Sequence, residues 1–278
     1  MGLLNEIINC EDKDVKKIID VAIENSNNSA NKIEILGFEN GFLKNTFFKG
    51  FIPLDTRVRY ESYGVETYSM QTTDFFYKFA LFIKENNINN GYSFICGLEK
   101  FINSYFGFFK ANIREEIFND IAFKTTKTDE EYFAALEKNE IGYLKGKNAA
   151  MCTERTALAQ QILSIFGFEV YYCIGCIKVG EQIEPHAFNI VKRKNDYAIL
   201  DYTVPAIRYD NNGLAKDYYP FIGILSEETL KRIINNQESI KLNNYYYVTG
   251  NQKAIINGSR SYVIGSYEMD NKKSNSKH

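Results

Sequence analysis

Histidine is nearly absent from this chain: of 278 residues only His186 and His278 carry an imidazole, and the second is the terminal residue. Acid–base chemistry in the folded body that needs an imidazole must therefore use His186. Two other reactive side chains stand at suggestive spacings from it. Asp201 follows fifteen residues later, near the end of the run DYAILDYTV, and Cys152 precedes it by thirty-four, at the start of an apolar-periodic run. A helix N-terminus favours a thiolate through its unpaired N–H groups and its dipole. Cys152 as nucleophile, His186 as base and Asp201 as orienting carboxylate make up a thiol triad, whose chemistry is acyl transfer through a thioester. Each of these residue types is, on its own, most often structural. Their order, with no other internal histidine, singles them out.

Other motifs carry less chemistry. Cys173 and Cys176 form a CxxC pair, but CIGC lies inside a strand pattern, whereas redox pairs place the first cysteine at a helix start. Zinc would need two further ligands, and Cys10, Cys96 and His278 are remote. The pair therefore reads as packing. Gly146–Asn148 resembles the end of a phosphate-binding loop, yet position 141 is Ile where glycine is required, and Asn148 replaces Ser or Thr. Glu115–Glu116 and Glu130–Glu131 read as solvated helix faces, and Tyr245–Tyr247 as strand packing. No cofactor and no metal site is expected.

The elements that must position the triad follow from periodicity. Before residue 150 the pattern is mostly helical. EDKDVKKIIDVAIEN sets Val15, Ile18, Ile19 and Ala22 on one face, and longer runs cover TTDFFYKFALFIKENN and YSFICGLEKFINSYFG. Shorter helices are expected at NIREEIFNDIAF and DEEYFAALEKN, and a strand at KIEILG. AMCTERTALAQQILSIF then places Leu158, Ile162, Ile165 and Phe166 on one stripe, with Gly167 as its C-cap. Strands are expected at FEVYYCIGCIKV, HAFNIVKR and DYAILDYTV, then a helix at SEETLKRIIN capped by Ser226, then strands around YYYVTG and SYVIG. His186 would open its strand and pair with Asp201, with Phe188 opposite Ile199, Ile190 opposite Tyr197 and a Lys192–Asn195 loop. His186, Phe188, Ile190, Tyr197, Ile199 and Asp201 would then share one face. Helices followed by an antiparallel sheet, without βαβ alternation, predict an α+β fold.

The stretch NAAMCTERTALAQQILSIFGFEVYYCIG, followed by EPHAFNIV and YAILDYTVP, resembles the core of the transglutaminase-like superfamily of papain-related thiol enzymes. Cys152, Ala157, His186–Ala187 with Phe188, and Asp201–Tyr202–Thr203 stand where that family has its nucleophile helix, its His-Ala-aromatic strand and its Asp-x-Thr strand end. The resemblance covers residues 145–205. It implies a nucleophile helix packed on an antiparallel sheet, with a Cys nucleophile, a His base and an Asp orienter. Ala149–Ala150–Met151 replaces the family's glycine, and no tryptophan is present, which leaves the substrate class open. The expected function is a cysteine protease or amide hydrolase acting on a peptide or protein. The alternatives are a protein transglutaminase or deamidase, an arylamine N-acetyltransferase-like enzyme suggested by Cys152–Thr153–Glu154, and a catalytically inactive protein-binding module. The oxyanion would meet the Cys152 N–H and a second donor, for which Asn148 is a candidate.

Composition bounds these readings. Lys plus Arg is 33 and Asp plus Glu 35, a net charge of −2, which argues against binding nucleic acid by bulk phosphate neutralisation. No apolar run reaches membrane-spanning length, and MGLLNEIINCEDKD has neither a basic n-region nor an apolar stretch. With five cysteines, an odd number, the expectation is free thiols and a cytoplasmic location, with no membrane partner. The abundance of Phe and Tyr reads as compositional bias. We expect a mostly helical region over 1–144, which could belong to the same domain, a catalytic core over 145–268 and a disordered tail over 269–278.

Overall fold

The computed structural model describes residues 2–30, 38–39, 42–43, 47–52, 57–58, 68–69, 73–107, 109–110, 112–113, 116, 144–179, 182–203, 221–236, 239–249 and 252–264. The strand expected near residue 35, most of the two helices expected between 112 and 139, and the tail lie outside them.

The first helices are α1 (Gly2–Asn9) and α2 (Asp12–Ala30). In α2, Val15, Ile19 and Ile23 recur at four-residue steps and are buried, with Ile18 and Ala22 packed beside them. Five short strands follow: β1 (Phe38–Glu39), β2 (Phe42–Leu43), β3 (Phe47–Lys49), β4 (Arg57–Val58) and β5 (Tyr68–Ser69). Helices α3 (Thr73–Glu85) and α4 (Gly91–Phe106) come next. A capping box starts α4: the Ser93 N–H donates to Asn90 Oδ1 at 2.9 Å, and the Asn90 N–H donates to Ser93 Oγ at 3.3 Å. These two helices meet through a lattice of rings in which Phe75 and Phe79 contact Phe101, while Phe79 and Phe94 contact Phe166 of the next segment.

Helix α5 (Cys152–Ile165) is the centre of the fold. Gly167, at φ +81°, ends it as expected. The Phe168 N–H donates to Leu163 O and the Gly167 N–H to Ser164 O, the paired bonds of a Schellman cap. The expected stripe of Leu158, Ile162, Ile165 and Phe166 is buried. The helix is also buried on its other sides, where Glu154, Arg155, Thr156, Gln160 and Gln161 lie out of solvent. Each of these five reaches a backbone group. For example, Gln160 Nε2 donates to Gly50 O at 2.7 Å and Gln161 Nε2 to Ile52 O at 2.9 Å.

The remaining elements are β6 (Val170–Val179), β7 (Gln182–Lys192), β8 (Tyr197–Leu200), β9 (Phe221–Leu225), α6 (Glu227–Asn236), β10 (Ser239–Thr249) and β11 (Gln252–Ile264). Ser226 caps α6 by accepting the Thr229 N–H at 3.0 Å. The main sheet runs β10-β11-β6-β7-β8-β9, with β3 beside the first half of β6 and β11 beside its second half. All of its ladders are antiparallel. Strands β9 and β10, at the two ends of that order, approach each other, so the sheet curls toward closure. The smaller sheet runs β1-β2-β4-β5, with β2 and β4 parallel. The architecture is α+β.

Two hydrophobic clusters flank the main sheet. One packs α5 against Val170, Tyr172, Ala187, Val191, Ala198 and Leu200, and continues through α1–α4 as far as Leu4. The other, on the opposite face, holds Cys173, Phe188, Ile190, Tyr197, Ile199 and Leu230 of α6. The first cluster runs across the expected boundary at residue 144 without a break.

The register of β7 and β8 differs from expectation. Ile190 faces Ile199 and Lys192 faces Tyr197, two residues out of the expected pairing, so the loop is Arg193–Asp196. The turn decides this: the Arg193 N–H donates to Asp196 O at 2.7 Å, and the Arg193 guanidinium meets the Asp196 carboxylate at 3.1 Å. A two-residue slip leaves every side chain on its own face, so Phe188, Ile190, Tyr197 and Ile199 still share a core. His186 does not open β7 but is its fifth residue, and Asp201 lies just past the end of β8.

Candidate active site

Cys152 is the first residue of α5, and only 7% of it is exposed. The residue before it, Met151, places no side-chain cap on the helix. Instead its own N–H donates to Glu154 Oε2 at 2.8 Å. First-turn N–H groups have no intrahelical acceptor, so the Cys152 N–H is placed to meet an anion at the sulfur's side of the helix.

The other two groups converge on that sulfur. His186 Nε2 lies 2.7 Å from Asp201 Oδ2, both side chains nearly or fully buried. The Asp201 carboxylate is itself held, its Oδ1 accepting the Thr203 N–H at 3.0 Å. With Nε2 engaged, Nδ1 is the ring nitrogen left to act on the Cys152 thiol, and each group shifts the other's pKa. The His186 ring stacks on Phe188, with centroids 6.4 Å apart and planes 19° apart. The structure thus joins His186 to Asp201 by a hydrogen bond and brings Cys152 close enough to His186 for the two to shift each other's pKa.

Room for this contact comes from the sheet. Strand β8 stops at Leu200, opposite Asn189, so residues 186–188 of β7 extend past its end. Helix α5 takes the place of a neighbouring strand there. Thr156 Oγ1, one turn along from Cys152, donates to Ala187 O at 3.0 Å, and the Ala187 N–H helps to lower the Cys152 pKa.

The electrostatics follow from these contacts. Burial pushes the Cys152 thiol up, and the Glu154 charge adds to that. The hydrogen bond and charge of His186, together with the Ala187 N–H, more than offset both, so the net shift is downward. For His186, burial disfavours the cation, but the charge and hydrogen bond of Asp201 and the contact with Cys152 raise its pKa to about 10. A thiolate beside an imidazolium is the state these shifts favour.

Arg155 anchors the segment leading into the nucleophile. Its buried guanidinium donates to Ala150 O at 3.0 Å, to Asn103 Oδ1 at 2.7 Å and to Gly107 O, and lies over the Phe106 ring. Asn103 in turn donates to the buried Glu99 carboxylate. Asn148, the candidate second oxyanion donor, has φ +58°, and its side-chain oxygen is packed against Gly107. Its N–H donates to Phe106 O at 2.9 Å and its carbonyl accepts the Lys110 N–H at 2.7 Å, so its backbone serves the α4 terminus.

Cys173 and Cys176 lie within β6, three residues apart, and neither is in a disulfide. Burial raises both thiols; for Cys176 the nearby His186 charge opposes this in part. Among the described residues, no group of three or more His, Cys, Asp or Glu is arranged to hold a metal, and no helix is long and apolar enough to cross a membrane. Thr156 and Arg155 carry no motif. Their only trace in sequence is that α5 has polar residues on every side of its apolar stripe. No family model matches the chain, and no significant match is found among curated proteins or solved structures.

Proposed function

We propose that the chain is a thiol-dependent acyl-transfer enzyme, a cysteine protease or amide hydrolase, built on a core of the papain and transglutaminase-like kind. The carrying observation is the 2.7 Å contact of His186 Nε2 with the buried Asp201, together with Cys152 at a helix start acting on the same imidazole. A nucleophile helix packed on an antiparallel sheet supports the same reading.

In the reaction the Cys152 proton passes to His186 Nδ1, and Asp201 holds the imidazolium in orientation. The thiolate attacks the substrate carbonyl carbon: a C–S bond forms and the π electrons move to oxygen. The Cys152 N–H stabilises that oxyanion. As the tetrahedral species collapses, His186 gives its proton to the departing amine, leaving a thioester on Cys152. Water, deprotonated by His186, then attacks the thioester carbonyl. The acid product leaves and the thiol is regenerated.

The test offers a peptide library as acyl donor, with a labelled primary amine and acetyl-CoA present. Cleaved peptides with little amine incorporation are expected, and Cys152→Ala abolishes the cleavage. Amine incorporation at Gln side chains would replace hydrolysis by transamidation, and acetyl-CoA consumption without peptide cleavage would indicate an acetyltransferase. Activity surviving Cys152→Ala overturns the assignment. So does an alkylation map in which Cys152 reacts with iodoacetamide at pH 6 no faster than Cys10, which would point to a non-catalytic binding module.

A further inference from the structure

A residue that caps a helix usually offers a side-chain oxygen to the first N–H groups, and Met151 offers none. The bond made at this helix start runs the other way. Glu154, the third residue of α5, reaches back, and its Oε2 accepts the Met151 N–H at 2.8 Å. The carbonyl of Met151 is held as well, accepting the Arg155 N–H at 3.1 Å. That carbonyl and the Cys152 N–H belong to one peptide plane, so both bonds bear on where the Cys152 N–H points.

The bond to Met151 also places a charge. Glu154 is 1% exposed. Its oxygen is fastened to the residue directly before Cys152, which puts it within about 8 Å of the Cys152 Cα by ordinary backbone dimensions. A buried negative charge at that range opposes ionisation of the thiol. The other titratable groups on this side are His186 from β7, which favours the thiolate, and Tyr172 from β6, which burial keeps protonated. Arg155, next on the helix, is attracted to the Glu154 charge while its guanidinium donates to Ala150 O, Asn103 Oδ1 and Gly107 O. Glutamine would supply the same acceptor without the charge. The charge has a use of its own, because a thiolate made too acidic is a weaker nucleophile.

We propose that Glu154 is a positioning residue with two effects: its oxygen pins the peptide that carries the Cys152 N–H toward the oxyanion, and its charge restrains the thiolate so that it stays nucleophilic. No bond to Glu154 is made or broken in the reaction. The proposal rests on the reading of Cys152 as the nucleophile.

The experiment reads Cys152 in the full chain with two probes, both mapped by mass spectrometry. Iodoacetamide across a pH series reports the thiolate. With p-nitrophenyl acetate, the sulfur bonds to the acetyl carbon and p-nitrophenolate leaves, a transfer that passes through an oxyanion. Glu154→Gln keeps the acceptor and removes the charge. Its alkylation midpoint is expected to fall by about half a unit to one unit, roughly three- to tenfold more thiolate at low pH. Its plateau rate should fall about two- to threefold, as for a more acidic thiol. Glu154→Met fills similar space but removes the acceptor too, and its acetylation per thiolate should be about tenfold slower than that of Glu154→Gln. A Glu154→Gln midpoint at or above the wild-type value overturns the charge effect. Acetylation of Glu154→Met as fast as that of Glu154→Gln overturns the positioning effect, and if the methionine variant does not fold, the Glu154→Gln midpoint still decides. His186→Gln separates this from the wider reading. If it leaves the midpoint unchanged the nucleophile assignment fails, whereas if it moves the midpoint and Glu154→Gln does not, the role of Glu154 alone fails.

Discussion

Replacing Arg155 by methionine tests how firmly the helical region before residue 107 is joined to the site. Methionine keeps much of the side chain's length but removes its charge and all its donors. Three acceptors then lose their partner: Ala150 O in the buried interior, and Asn103 Oδ1 and Gly107 O in partly buried positions. Burial brings the Arg155 pKa down to about 10, against the opposing pull of Glu154 and Glu99, so the group is still a cation at neutral pH. Removing one partner of a buried charged network costs about 3–5 kcal/mol, because the groups left behind cannot regain water. Three orphaned acceptors at about 1–3 kcal/mol each agree with that range once the gain from burying an apolar chain is subtracted. At roughly 2–4 °C per kcal/mol for a chain of this size, the midpoint of thermal unfolding should fall by about 6–20 °C.

Urea unfolding of Arg155→Met beside wild type measures the loss directly. Arg155→Lys should recover only part of it, since one ammonium cannot span three acceptors set in a fork. A cycle with Asn103→Ala should show a coupling of about 1 kcal/mol or more. A loss below about 1 kcal/mol for Arg155→Met, or no coupling with Asn103, would refute the idea that this guanidinium clamps α4 to the nucleophile helix.

Gly107→Ala should destabilise by about 2 kcal/mol or more, because the glycine has φ +75° and an added Cβ would stand 2.1 Å from Asn148 Oδ1; Asn148→Gly in the same chain should return part of the loss in urea unfolding. In Cys152→Ser, His186 keeps Asp201 and a folded pKa above its unfolded value near 6.5, so the stability it contributes is full below about pH 6.5 and is lost as pH rises through the folded value. Urea unfolding from about pH 6 to 10 should therefore show a decline that vanishes when Asp201→Asn is added, and stability rising with pH across that window would contradict the imidazolium–carboxylate pair.

The grouping of Cys152, His186 and Asp201 was legible because histidine is so scarce that only one could serve, and because the order of cysteine, histidine and aspartate left few pairings to consider. The shared face of β7 and β8 was legible too, since alternation fixes which side chains point together. Register was not, because a slip of two keeps the alternation intact and the decision falls to hydrogen bonds at the Arg193–Asp196 turn. For α5 the periodicity showed one buried stripe, and the burial of its other sides was invisible. Glutamine, threonine and arginine read as solvent-facing unless their acceptors are known. Those acceptors are carbonyls brought in from elsewhere, Gly50 and Ile52 from over a hundred residues away. The sequence left open whether residues 1–144 belong to the same domain, since the contacts that carry the core across that point, Phe79 and Phe94 meeting Phe166, leave no local pattern.

The polar residues of α5 also explain how Cys152 can be held without a dedicated loop. Thr156 fastens the helix to β7, Arg155 to α4, and Gln160 and Gln161 to the segment after β3. The thiol and the imidazole thus sit on two rigid elements joined one turn from the site, which is the kind of support that keeps reacting groups in productive geometry. That joint exists only because β8 stops where it does. In the observed register, two further residues of ladder would set Asp201 opposite Phe188 and Tyr202 opposite Ala187. The strand would then compete for the Ala187 N–H and carbonyl that now serve the sulfur and Thr156, and Asp201 would be drawn into the ladder instead of turning to His186. The hydrogen bond from the Thr203 N–H to Asp201 Oδ1 closes a local turn at that point, so the carboxylate that holds His186 also helps to end the strand.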